Sequence, residues 1–73
     1  MMIMKEYLEK KGIKVTLDGG YYWNCEYKGN TIGIMRNSGI TNTYALYVNM
    51  KIIMTKGLLR TIVGKILRLE EVR

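Results

Sequence analysis

Residues 21–27, Tyr-Tyr-Trp-Asn-Cys-Glu-Tyr, alternate in character between two turn signals, Gly19-Gly20 and Gly29-Asn30. Alternation with a period of two dictates a strand with one buried and one solvated face. Tyr21, Trp23, Cys25 and Tyr27 fall on one side, and Tyr22, Asn24, Glu26 and Lys28 on the other. Upstream, Ile13, Val15 and Leu17 alternate with Lys14, Thr16 and Asp18 in the same way. A loop of Asp18, Gly19 and Gly20, with Gly20 in the left-handed region, sets Leu17 opposite Tyr21, Val15 opposite Trp23 and Ile13 opposite Cys25. A Gly29-Asn30 turn on the other side sets Tyr27 opposite Ile32 and Cys25 opposite Ile34. Both turns select the same apolar set, and a slip of one residue would turn that set out to solvent. Trp23, Cys25 and Tyr27 are therefore expected in the core.

Helices flank these strands. Ile3, Met4, Tyr7 and Leu8 share one face of an expected helix over Met2 to Lys11, with Gly12 as its stop. Leu58 to Leu69 reads as a second helix, with Leu58, Leu59, Ile62, Val63, Ile66, Leu67 and Leu69 on one half. Glu70 would fall in that apolar arc, so the helix should fray there. Asn37-Ser38-Gly39 marks a turn, Ile40 to Asn42 carry no clear pattern, and Tyr44, Leu46 and Val48 define a fourth strand. Met50 to Met54 read either as its extension or as a crossing loop. The expected fold is a single α+β domain over residues 1–73. It is a two-layer structure with an N-terminal helix, an antiparallel meander of three to four strands and a C-terminal helix, both helices lying on one sheet face.

Inventory narrows the chemistry. The chain of 73 residues has one cysteine and no histidine. Zinc sites, Cys/His nucleophile pairs and Ser-His-Asp triads thus lack their parts, and no catalytic residue, metal or cofactor is expected. Hydrophobic residues make up 48% of the chain, yet no apolar run approaches the ~20 residues of a membrane span. The start lacks the order of a secretory signal, so the expected location is the cytoplasm, with no membrane partner. The absence of His, Pro and Phe fits an AT-rich coding genome, such as that of a low-GC bacterium or its phage.

Two surfaces stand out as candidates. Between Glu26 and Glu70 there is no acidic residue, whereas Lys28, Arg36, Lys51, Lys56, Arg60, Lys65 and Arg68 lie in that interval. A one-signed block favours polyanions, although a solvated Lys-rich surface has the same composition. Lys51, Lys56 and Arg60 are expected to crowd the start of the last helix. Cations there oppose the helix dipole and would reinforce an anion site, and Arg68 extends the basic set. The order helix, three strands, helix, with basic residues at the last helix, is similar to that of double-stranded RNA-binding domains. Gly57, Leu58 and Leu59 stand where those domains carry a Lys-rich run. Gly64 marks either a close backbone approach or a plain loss of helix propensity.

The second surface is the solvated sheet face, where Tyr22, Asn24, Met35 and Tyr47 are the candidate contact residues. Tyrosines on an open sheet stack bases in single-strand binders, and they also serve as ordinary cross-strand support. The function expected is a small non-catalytic binding or regulatory module that contacts nucleic acid through its basic surface. The alternative is an inhibitor or adaptor that takes a protein partner on the sheet face or an edge strand.

Overall fold

The structure is a computed structural model that describes residues 3–39 and 42–72. In chain order it contains α1 (Met4–Lys10), β1 (Lys14–Asp18), β2 (Tyr22–Tyr27), β3 (Asn30–Arg36), β4 (Tyr44–Val48), β5 (Lys51–Gly57) and α2 (Leu59–Leu67). The strands pair antiparallel in sequence order as a five-stranded meander. Met4 and Leu8 of α1 and Ile62, Val63 and Ile66 of α2 share one buried cluster with alternate residues of the central strands. Those residues are Trp23, Cys25, Ile32, Ile34, Tyr44, Leu46 and Val48. Both helices therefore cover the same face of the sheet, and the two-layer α+β reading holds.

Five strands replace the expected three or four. Asn49 and Met50 take φ of 51° and 68°, and Val48 pairs with Lys51 across them. Two left-handed residues in succession make a tight hairpin turn, so Lys51 to Gly57 fold back as a separate strand. They neither extend β4 nor cross as a loop. The fifth strand also ends the similarity of element order to double-stranded RNA-binding domains. Of the unpatterned segment 40–42, Ile40 and Thr41 lie outside the described residues, as does Met2 of the expected first helix.

Both hairpin registers differ from expectation. The β2–β3 turn is Lys28-Gly29, with φ of 51° and 78°, so Tyr27 pairs with Asn30, Cys25 with Ile32 and Trp23 with Ile34. The shift is even, which keeps the core face intact. In β1, Val15 pairs with Cys25 but Leu17 with Asn24, and the register shift at Thr16 marks a bulge. An odd insertion turns Leu17 onto the uncovered face. Gly20 does have positive φ, 87°, but the loop centres on Gly20 and Tyr21, with the Gly19 N–H donating to the Tyr22 carbonyl at 2.8 Å. Tyr21 is consequently exposed and not in the core. Ile3 and Leu58 are exposed as well, each standing just before its helix as an extended N-cap.

One polar cluster ties the far end of the sheet together. Asn30, almost fully buried, donates through Nδ2 to the carbonyls of Tyr27 at 3.1 Å and Glu70 at 3.0 Å. Its Oδ1 accepts from Asn49 Nδ2 at 2.9 Å, and Asn49 Oδ1 accepts from the Thr31 N–H at 3.0 Å. Val72 N–H then donates to the Lys28 carbonyl at 2.9 Å. The segment after α2, the β2–β3 turn and the β4–β5 turn are held by these bonds, each worth roughly 0.5–1.5 kcal/mol net. A side chain at Gly29 would place its Cβ 3.0 Å from the Val72 carbonyl oxygen, so glycine serves both the turn and the tail there. Gly64 meets nothing within 4 Å, which removes the close-approach reading and leaves a simple loss of helix propensity.

Opposite outcomes are expected from the same substitution at these two glycines. Gly64→Ala should stabilise the fold by about 0.5–1 kcal/mol. Gly29→Ala should destabilise it by about 1–2 kcal/mol through the left-handed backbone, and more through the Val72 contact. Thermal denaturation reads both. A Gly29→Ala variant melting like wild type would show that the segment after α2 is not seated on this turn.

Candidate functional site

The uncovered face is built by the strands alone. Register places Leu17, Asn24, Gly33, Tyr47 and Ile52 in one row across all five strands. Tyr22, Met35 and Ala45 form the next row. Tyr47 stands directly opposite Gly33, where a Cβ would lie 3.6 Å from Tyr47 Cβ, so the tyrosine leans over the glycine of the central strand. Tyr22 Oη donates to Asn24 Oδ1 at 2.6 Å, which fixes the ring along its own strand. A groove of about 490 Å³ results, lined by Tyr22, Asn24, Met35, Tyr47 and Met50 over Gly33. All four sheet-face residues expected from the sequence meet in this groove.

The surface is more apolar than the alternation implies. Leu17 is 48% exposed, Met35 39%, Ile52 62% and Met50 94%. Leu17 arrives through the β1 bulge, Ile52 through the fifth strand, and Met50 through the β4–β5 turn. No sequence signal marks the bulge. The turn could have been found only by reading Asn49-Met50 as a pair with positive φ, a conformation that favours Asn-Gly. Ala45, in register with Met35, is on this face but buried. The charged residues on this face are Lys14 and Glu26, opposite one another at one corner, and Lys56 on the β5 edge, whose neighbour Gly57 faces the core at Ile62.

The basic residues are distributed otherwise. Lys51 opens β5 and Lys56 stands near its end, about 16 Å away along an extended strand. Lys51 therefore does not crowd the start of α2, which corrects the sequence reading. Lys56 and Arg60 do flank the β5–α2 junction, and Arg60 lies in a first helical turn with no acidic residue and no side-chain cap. Arg68, at the C-cap of α2, lies close in sequence to Glu70, whose carbonyl binds Asn30 near the β4–β5 turn. The set divides into Lys56 with Arg60 at one end of the sheet, and Lys51 with Arg68 at the other. All four side chains are exposed.

Other reactive groups are structural. Cys25 is buried, and that burial, with the Glu9 carboxylate second, pushes its thiol up to about 11. It is protonated at neutral pH and is a weak nucleophile. Arg36 lies over the rings of Trp23 and Tyr44, 5.8 Å and 6.0 Å from their centroids, and closes the core at the end opposite the asparagine cluster. Among the described residues no group of three His, Cys, Asp or Glu side chains converges as a metal site, and no helix is long and apolar enough to cross a membrane. Comparison with family models, curated proteins and solved structures finds no match.

Two outcomes follow from this geometry. A non-glycine residue in the left-handed region is strained by about 1–2 kcal/mol, so Met50→Gly should raise stability by roughly 1 kcal/mol, or some 4–8 °C in Tm. No gain on a thermal melt would show that Met50 is not held at positive φ. For Cys25, the folded pKa exceeds the ordinary 9.0, so its stabilising effect is complete below pH 9.0 and lost as pH rises towards about 11. Wild type should lose roughly 2–3 kcal/mol relative to Cys25→Ala across that window. Parallel denaturation curves over the window would contradict the burial of the thiol.

Proposed function

We propose that this chain is a non-catalytic docking module that takes a protein surface on the open face of its sheet. One observation carries the reading: Leu17, Met35, Met50 and Ile52 are exposed around two tyrosines on a single face. Scattered apolar residues are ordinary on a surface, whereas a contiguous patch framed by polar neighbours is a mark of an interaction site. Met50 adds to this, because a strained, almost fully exposed methionine contributes nothing to the core. Strain of that kind accumulates where a side chain is used.

The face supports a protein partner better than a polynucleotide. Phosphates require a concentration of cations, and the charges here are a glutamate and two lysines, with Lys14 and Lys56 on opposite edge strands. Edge pairing is disfavoured too. Both edge strands carry register irregularities, and β5 bears Lys51 and Lys56, features that keep edges from recruiting further strands. The face and not the edge is the docking element.

Nucleic acid remains the second reading, favoured by Lys56 and Arg60 beside the uncapped start of α2. A single capture experiment separates the two. Immobilised wild type, Met35→Glu and Lys56→Gln/Arg60→Gln are exposed to lysate with and without nuclease. Docking on the face predicts captured protein that resists nuclease, is lost with Met35→Glu and is kept by the double variant. Loss on nuclease treatment and in the double variant alone would reverse the order of the two readings. Capture unaffected by Met35→Glu would remove the face from either.

A further inference from the structure

We infer that the occupant of the open face is a second copy of this chain, packed sheet against sheet about a two-fold axis. The inference rests on the docking reading above and goes beyond it by naming the partner.

Surface area is the first ground. A monomer of 8.5 kDa is expected to expose about 4,700 Å². This chain exposes 5321 Å², an excess of roughly 600–700 Å². Burying that excess on each of two copies removes about 1,300 Å² in total, within the range of specific interfaces and near its lower end. A one-sided sheet leaves one face uncovered, and a matching sheet is the simplest body that covers it. Two twisted sheets stack with their strands within about 30° and their faces about 10 Å apart, which is the geometry of a β-sandwich. One layer of the chain is helical and the other bare, so the pair forms a four-layer body with helices outside.

Charge is the second ground. Chains of net charge +6 repel one another, and self-association has to keep those charges apart. Face-to-face packing does so. Arg60 and Lys65 of α2, Arg68 at its C-cap, and Lys5 and Lys10 of α1 belong to the helix layer on the covered side, and Lys56 stands at the β5 edge of the open face. Lys14 and Glu26 sit opposite one another on the open face, so two copies present both signs at the contact. Glutamate can meet lysine across a two-fold axis, where like charges alone would not.

Shape is the third. The face carries both a knob and a hole: Met50 projects almost fully into solvent, and the groove over Gly33 lies within the same surface. In an isologous contact a residue that fills the partner's groove has its own groove filled in return. Methionine suits that role, since its flexible thioether adapts to irregular gaps. Gly33, in the middle of the central strand, floors that groove beside the leaning Tyr47, so the groove admits a partner side chain such as Met50.

Sedimentation equilibrium on the purified chain tests this. Wild type should shift with concentration from 8.5 kDa towards twice that mass. Met35→Glu and Met50→Asp should each weaken the dimer at least about tenfold, because a two-fold axis introduces each new charge twice. Met50→Asp lies in an exposed turn and tolerates positive φ, so it decides the matter should Met35→Glu fail to fold. Lys56→Gln/Arg60→Gln should dimerise as wild type does or more tightly. A wild-type chain that stays monomeric up to about 1 mM overturns the inference, as does a dimer untouched by both methionine changes. A monomeric wild type whose captured protein still depends on Met35 refutes the second copy and keeps the docking face. A monomeric wild type with capture indifferent to Met35 refutes both.

Discussion

Two short helices cannot cover both sides of a five-stranded sheet. Helices of seven and nine residues span about 10 and 14 Å, against a sheet roughly 24 Å across its strands. Placed on one face they enclose a core around Ile13, Ile32, Ile34, Leu46 and Ile66, and nothing among the described residues covers the other. In a domain this small every large aliphatic residue is wanted in the core. That Leu17, Met35 and Ile52 stand outside it is the central physical fact of the molecule.

The open face is held in place from one end. Asn30, almost fully buried, and Asn49 join two hairpin turns and the segment after α2 through side-chain hydrogen bonds. A buried amide with all its bonds made is stabilising, and one left unpaired would be destabilising by about 1–3 kcal/mol. The same cluster sets the β4–β5 turn, and that turn aims Met50 outward at positive φ. Core, clasp and exposed methionine are thus linked: burial seats the helices, the tail after α2 closes on Asn30, and Asn49 fixes the turn that carries the knob.

Much of the layered design was legible in the residues. Period-two alternation in 21–27 placed Trp23 and Cys25 inside, and the helical spacing of Ile62, Val63 and Ile66 placed the last helix on the same core. Alternation survives an even shift in register, so the core face was read correctly although the β2–β3 turn was placed one residue late. An odd insertion has no such protection. The bulge at Thr16 moved Leu17 to the open face, and nothing in Val-Thr-Leu announces it. Asn49-Met50 hid the fifth strand for a related reason, since positive φ without glycine is rare. Once residues 51–57 became a strand, Lys51 and Lys56 could no longer gather at one helix end, and the basic set lost its focus. Tyr22, Asn24, Met35 and Tyr47 were found because three neighbouring strands kept their parity.

Methionine methyl groups report on both faces at once. Met35 and Met50 lie on the open face, and Met4 and Met54 pack on or against the core. Methyl resonances followed by NMR on dilution of the purified chain compare the two sets within one sample. Docking of sheet on sheet predicts that Met35 and Met50 shift together with concentration while Met4 and Met54 stay fixed. Methyl signals that are all independent of concentration, or concentration-dependent shifts confined to residues of α2, would contradict it.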